Sequence, residues 1–402
     1  MAVSITRAPR CWASVLTALV LLAGLPGCNG PDRTTATASG PPAAAADWPL
    51  LGFTKADSLN PIMGPSPVGQ FTDPILRQPV RWEEKDMFNP AVVVKDGKVV
   101  MLYRAENTIG RFGKASRIGL ATSTDGRHFQ REAAPVFYPG NDAQKRYEWP
   151  GGTEDPRVVE SADHTYFMTY TAYDGTKARL HVASSRDLRH WTKYGNAFAQ
   201  AAGGKYVDKW TKSGSIVSRY EEDGRIVATK INGHYWMYWG DAQIWLATSD
   251  DLIHWTPVEM AAGERPPVPL RAHALTMPNL KIVLPTRAGM FDSDLVESGP
   301  PAMLTDQGIR LIYNSRNEPA FGDKKLPVGT YTAAQALFDK NDPTKLLQRM
   351  NTYFMRPEKP YETTGQVNQV VFLEGLARFK GQWFLYYGTA DSKIAVATRP
   401  VK

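Results

Sequence analysis

Acidic residues stand at matching places along this chain. Asp155 lies in T-E-D-P-R-V (153–158), Glu297 opens E-S-G-P-P-A (297–302) and Glu374 sits in L-E-G-L-A-R-F (373–379). Asn89 takes the same place in F-N-P-A-V-V-V (88–94). Each of these segments begins polar and then turns apolar, as expected of a strand that starts at a site and runs into a core. A second set of polar residues closes apolar runs: Arg104, Tyr173, Asp241, Arg316 and Asp391. Several carboxylates gathered with a few cations and many aromatics suit glycoside cleavage. One carboxylic acid protonates the leaving oxygen while a second group activates water or attacks the anomeric carbon. Neighbouring acids also raise one another's pKa, so one can hold a proton near neutrality. The catalytic candidates are Asp155 as acid and, as base, Glu297, Glu374 and Asp241 in that order.

Other chemistries find no foothold. No pair or triplet of His stands at metal-ligand spacing, so neither metal nor other cofactor is expected. There is no Gly-rich phosphate loop and no G-x-S-x-G elbow. His128, His190 and His254 recur with S-x-D-x-x-H turns, which makes them turn residues, each followed by an aromatic plug. The formal charge of +7 comes from scattered Lys and Arg interleaved with acids, so no nucleic-acid groove is expected.

The elements that carry these residues repeat. Strand-like runs such as K-V-V-M-L-Y-R-A-E (98–106) and Y-F-M-T-Y-T-A-Y (166–173) are followed by partners beginning at Ile118, Leu180, Ile244, Tyr331 and Ile394. Successive partners start 62, 64, 87 and 63 residues apart. Such a period, filled with short strands, suits an all-β, five-bladed β-propeller whose inner strands ring one channel mouth. The five inner strands are expected at 88–94, 153–159, 224–230, 297–304 and 373–379.

The beginning of the chain reads as an address. Arg7 and Arg10 precede an apolar run that ends Leu25-Pro26-Gly27-Cys28, similar to the lipobox of bacterial lipoproteins. Residues 1–28 are therefore expected to be a signal peptide with a lipidated Cys28, residues 29–46 a Thr/Ala/Pro/Gly tether, and 47–402 one catalytic domain. The expected location is the periplasm or cell surface, with membrane contact only through the Cys28 lipid. Cys11 and Cys28 are the only cysteines, so the domain has no disulfide. Nothing in the sequence fixes an oligomeric state.

Several segments together make a specific resemblance. T-E-D-P-R-V, T-Y-T-A-Y (169–173), K-I-N-G-H-Y (230–235), G-P-P-A (299–302) and V-V-F-L-E-G with Y-Y-G-T-A-D (370–391) resemble glycoside hydrolase family 130, in family order. The resemblance implies a five-bladed propeller that acts with inversion on β-mannosides, either as a phosphorylase or as a β-1,2-mannosidase. It implies that Asp155 is the proton donor, acting in the phosphorylases through a sugar hydroxyl. Asn89, Arg104 and Asp391 would bind the mannose, and Arg157 would orient the acid or contact sugar. The phosphorylases carry a run ending His-Arg-Pro that grips phosphate, where this chain has Y-W-M-Y-W-G-D, placing Tyr238 and Asp241 in that region. Arg179 still matches a phosphate-associated Arg, whereas Glu297 stands where the phosphorylases have small residues. Together with export, this favours hydrolysis of β-1,2-linked manno-oligosaccharides from the non-reducing end over phosphorolysis. Two other readings are weaker. Five-bladed arabinanase-like enzymes expect an acid where Asn89 stands, and a lipid-anchored glycan-binding protein would need no acid at all.

Overall fold

The computed structural model describes residues 48–108, 115–270 and 272–401. The expected signal peptide, Cys28 and the tether lie outside the described residues. Beyond them the chain is almost wholly β, with two α-helices of a single turn, Lys145–Glu148 and Pro360–Thr363.

The strands group into five antiparallel meanders. The first runs Asp86–Lys95, Lys98–Glu106, Ser116–Ser123 and Gln130–Arg131. The second runs Gly152–Glu160, Tyr166–Tyr173, Ala178–Ser185 and Thr192–Asn196. The third is built on Tyr235–Trp239 and Ile244–Ser249, the fourth on Gly308–Arg316 and Tyr331–Phe338. The fifth comprises Val371–Phe379, Gln382–Thr389 and Lys393–Pro400, and its fourth strand is Thr54–Lys55 from the start of the domain. Tying the first strand of the domain onto the last meander joins its two ends.

Why these strands read as continuous apolar runs follows from where their side chains go. Successive residues of a strand point to opposite faces, and here both faces are covered. Ala91, Val93, Val100 and Leu102 pack with Val158, Met168 and Tyr170 of the second meander. Their neighbours Val92, Val94 and Met101 pack with Phe379, Phe384 and Val396 of the fifth. Three further clusters join the second meander to the third, the third to the fourth and the fourth to the fifth. The apolar seams therefore run in a closed cycle.

The S-x-D-x-x-H turns are structural, as their sequence suggests. In each, an Asp carboxylate accepts backbone N–H bonds from the second and third residues after it, and the His ring lies 2.7 Å from its second oxygen. Trp255 behind the third turn is buried and its indole N–H is satisfied by the Leu252 carbonyl.

One expected strand is displaced. The segment 224–230 does not line the centre: Ile226–Ala228 pairs with Ser218–Tyr220 and, in parallel, with Glu160. The first strand of the third meander is instead Ser215–Ile216, paired with Tyr238 and Met237. The polar-then-apolar signature is present there too, as K-S-G-S-I-V (212–217), and Ser213, with φ of 60°, takes the place that Asn89 and Asp155 hold in their meanders, with Lys212 one residue before it.

Candidate active site

The inner strands share a device. In the first, second and fifth meanders the pairing register slips at Phe88/Pro90, Glu154/Arg157 and Leu373/Gly375. Asn89, Asp155 and Glu374 are thereby left out of the ladder. Such bulges re-aim a side chain, and they are common beside active sites. Asn89 and Asp155 also hold left-handed backbone, with φ of 48° and 49°, a conformation that non-glycine residues keep only when their surroundings enforce it. Gly388 makes room for this arrangement, since a Cβ there would stand 2.6 Å from Asn89 Oδ1.

The slips converge the side chains on Asp155. Its Oδ1 accepts hydrogen bonds from Asn89 Nδ2 at 2.9 Å and Arg104 Nη1 at 3.1 Å, and its Oδ2 accepts from Lys212 Nζ at 3.2 Å. The same ammonium lies 3.2 Å from Glu297 Oε1, which also accepts from the Ser213 hydroxyl. One cation thus joins the candidate acid to the first-ranked base. Their nearest oxygens are no further apart than the two contacts laid end to end, which is under the about 6.5 Å at which the separation range of inverting enzymes begins. Arg104 Nη2 holds Glu106 at 2.8 Å and Glu154 at 2.9 Å, and its guanidinium lies over the Phe88 ring.

The protonation pattern follows from this geometry. Burial pushes Asp155 upward, but Lys212, Arg104 and the Asn89 hydrogen bond override it and hold the carboxyl well below its usual range. Its neighbours go the other way. Burial raises Glu154 to about 7, helped by Asp155 and opposed by Arg104. Burial likewise raises Asp391 to about 7, with Arg104 opposing and Asp155 and Glu106 adding to it. Glu297 is raised by burial and by Asp241, against Lys212 and Arg157. In the free site Asp155 is therefore the ionised member, and Glu154, Asp391 and Glu297 keep protons more readily.

This pattern yields a stability prediction. A carboxyl raised in the folded state favours folding most at low pH, and that contribution is lost as pH climbs from about 4 through about 7. Asp391→Asn removes the loss, so it should raise Tm at alkaline pH, change it little at about pH 4, and reduce activity. Melting curves across the pH range check this; a Tm gain independent of pH would contradict it.

Other expected site residues fall differently. Tyr238 is fully buried, packs on Phe338 and donates its hydroxyl to the Pro343 carbonyl, so it is core and not sugar-binding. Arg157, expected to orient the acid or touch sugar, is only 2 % exposed and fully occupied. It donates to the carbonyls of Ser298 at 2.6 Å and Gly299 at 2.8 Å, and lies 2.9 Å from Glu374. Arg157 is a strut that ties the second, fourth and fifth meanders. Glu374 is wholly buried against it, and burial holds its carboxyl well above the ordinary value, opposed by Arg157. Arg157→Met should therefore cost about 3 kcal/mol or more, the scale for breaking a buried pair, and Arg157→Lys should not restore it because the forked contacts are lost. Urea denaturation measures both.

At the rim, Tyr173 donates to the Gly175 carbonyl and lies in the field of Glu154 and Arg104. Arg316 pairs with Asp294 and donates to the Tyr331 hydroxyl at 3.1 Å. Arg179 shares no partner with the Asp155 group: its guanidinium pairs with Asp174 at 2.7 Å and Asp208 at 3.3 Å and lies over Tyr147. Asp241 follows the third meander's second strand and accepts from the Trp210 indole at 2.8 Å. Sequence reasoning passed over Lys212, Ser213 and Trp210 because it placed the third inner strand at 224–230. It passed over Glu106 and Tyr331 because they repeat in no other meander.

These residues lie within a chain whose relatives are known. Residues 60–402 match a family model described as β-1,4-mannooligosaccharide phosphorylase, and the chain belongs to glycoside hydrolase family 130. A 1,2-β-oligomannan phosphorylase from Thermoanaerobacter sp. strain X514 is 29 % identical over 329 residues, covering 80 % of this chain and 92 % of that one. A solved putative glycosidase from Bacteroides thetaiotaomicron is 46 % identical, with a TM-score of 0.81 over 89 % of this chain and 99 % of its own. Another structure comes from work on family members that are glycoside hydrolases targeting β-1,2 mannosidic linkages in Candida mannan. It is 44 % identical, with a TM-score of 0.82 over 89 % of this chain and 97 % of its own. This is a family of enzymes that act on mannosides.

Proposed function

We propose that this enzyme hydrolyses β-1,2-linked manno-oligosaccharides with inversion, releasing mannose from the non-reducing end. The five meanders are then the blades of a five-bladed propeller, and the Asp155 cluster lies at one mouth of its channel. The observation that carries the reading is the sign of charge around Lys212, the cation that touches both reacting groups. It is already shared by Asp155 and Glu297 and lies in the field of Asp241. The one cation that matches a phosphate-associated position, Arg179, is paired with two aspartates. A phosphate would enter a partly dry site against several carboxylates, which Coulomb repulsion opposes. Identity points the same way: 44 % to the structure from work on β-1,2-targeting hydrolases, against 29 % to the oligomannan phosphorylase.

In this mechanism Asn89, Arg104 and Asp391 hold the terminal mannose, Asp155 supplies the proton and Glu297 activates water. Asp155 begins ionised, so the substrate must change its state. Sugar hydroxyls that accept from Lys212 and Arg104 weaken the two contacts that hold its pKa down. Burial, which pushes it up, then dominates, and the carboxyl can carry a proton to the glycosidic oxygen directly or through a mannose hydroxyl.

Purified mature protein incubated with β-1,2-mannobiose should release mannose in phosphate-free buffer, with the inverted anomer seen first by NMR. Formation of mannose 1-phosphate only when phosphate is present would establish phosphorolysis instead. The same proposal puts a lipid on Cys28 and the domain on the periplasmic or outer cell surface. Cys28→Ser should then move the protein from the membrane to the soluble fraction.

A further inference from the structure

The segment Ala272–Thr276 belongs to no meander, yet it is fastened to the core: Ala274 is fully buried and Met277 nearly so. The imidazole of His273 stacks on Trp210 with ring centres 4.3 Å apart and planes within 10°. Trp210 stands two residues before Lys212, and its indole N–H is the hydrogen bond that Asp241 receives, at 2.8 Å. The Lys212 carbonyl in turn accepts from the Gly240 N–H at 2.9 Å, which ties the two chain segments together beside Asp241.

We propose that Trp210, clamped by His273, is a positioning residue that holds the Asp241 carboxylate away from Lys212, so that the ammonium stays shared between Asp155 and Glu297. This rests on the reading of the cluster as the glycoside-cleaving site. Lys212 faces Glu297, Asp155, Asp241 and Glu154, and Glu297 faces Arg157 as well as Lys212 and Asp241. In such a set the position of the ammonium, with Arg104 and Arg157 beside it, sets which carboxylate ionises. Its partners are fixed at 3.2 Å by geometry, and Asp241 is the third claimant. Without the indole bond, Asp241 is free to turn to Lys212. Glu297 would then lose its cation contact and Asp155 would keep only that of Arg104, and both would hold protons to higher pH.

Trp210→Phe keeps an aromatic ring for His273 to stack on and deletes the N–H together with one ring of the indole. It should lower kcat/KM roughly ten- to a hundredfold, the scale of misplacing a reacting group, and move the acidic limb of the pH profile upward. His273→Ala should do the same more weakly, and His273→Phe should restore most of the loss. A purely structural role would lower the yield of folded enzyme but leave the limb where it is. An unmoved limb in Trp210→Phe therefore overturns the proposal. A readout independent of turnover separates this from failure of the functional reading. In 15N-tryptophan-labelled protein, the Trp210 indole signal, assigned by its absence in Trp210→Phe, should shift in Asp241→Asn. If it does not shift, the indole does not hold Asp241 and the proposal falls, whatever the enzyme cleaves.

Discussion

Asp155→Asn should lower kcat by roughly 10²-fold or more, the usual contribution of a positioned proton donor, and leave the protein folded. The substitution keeps the shape of the side chain. Oδ1 can still accept from Asn89 and Arg104, so the bulge that aims residue 155 retains two of its anchors. What is lost is the charge opposite Lys212 and the capacity to transfer a proton. Stability should fall at neutral pH and change little in strong acid, because a carboxyl whose pKa the fold holds down contributes stability above that pKa, and the amide leaves Lys212 and Arg104 without that charge. Circular dichroism and a melting curve establish the fold, and initial rates on β-1,2-mannobiose establish the loss. A variant that keeps most of its activity would move the proton donor elsewhere in the cluster, first to Glu154, whose carboxyl is raised to about 7 by burial.

Much of this site was legible before any coordinates, because the signal was repetition. Asn89, Asp155 and Glu374 stand at one position of three meanders, and the register slips that expose them coincide with the polar-to-apolar change in sequence. Alternation told less. Strands covered on both faces, such as Asp86–Lys95, read as unbroken apolar runs, so sequence gave their presence but not their neighbours. The third meander escaped because two polar-then-apolar segments, 212–217 and 224–230, compete there. Which one pairs with Tyr235–Trp239 depends on contacts far along the chain, such as Ser218 with Met303. Arg157 and Tyr238 show a second limit. Both have the side chains of sugar-binding residues, and only burial reveals that one is a strut between meanders and the other is core. The ionised state of Asp155 was likewise out of reach, since Lys212 lies 57 residues away in sequence.

Glu297→Gln should remove hydrolysis, by roughly 10²-fold or more in kcat, while mannose binding largely persists. Three carboxylates stood as candidate bases, and their surroundings separate them. Glu374 is wholly buried and committed to Arg157, so its loss belongs with stability before chemistry. Asp241 is held by the Trp210 indole at the edge of the cluster. Glu297 shares Lys212 with Asp155 and is steadied by the Ser213 hydroxyl. That places one oxygen directly across the same ammonium from the acid, a contact neither other candidate makes among the described residues. The groups assigned to mannose, Asn89, Arg104 and Asp391, make no contact with Glu297 through hydrogen bonds or ion pairs among the described residues. Binding measured by calorimetry should therefore survive the substitution. The smaller Glu297→Ala opens space that azide can fill, and azide should restore cleavage by forming a glycosyl azide of inverted configuration. Asp155→Asn should show no such rescue, because an added nucleophile cannot replace a proton donor. If Glu297→Gln keeps its activity while Asp241→Asn is dead, the water is activated from the Trp210 side and the two acids exchange roles.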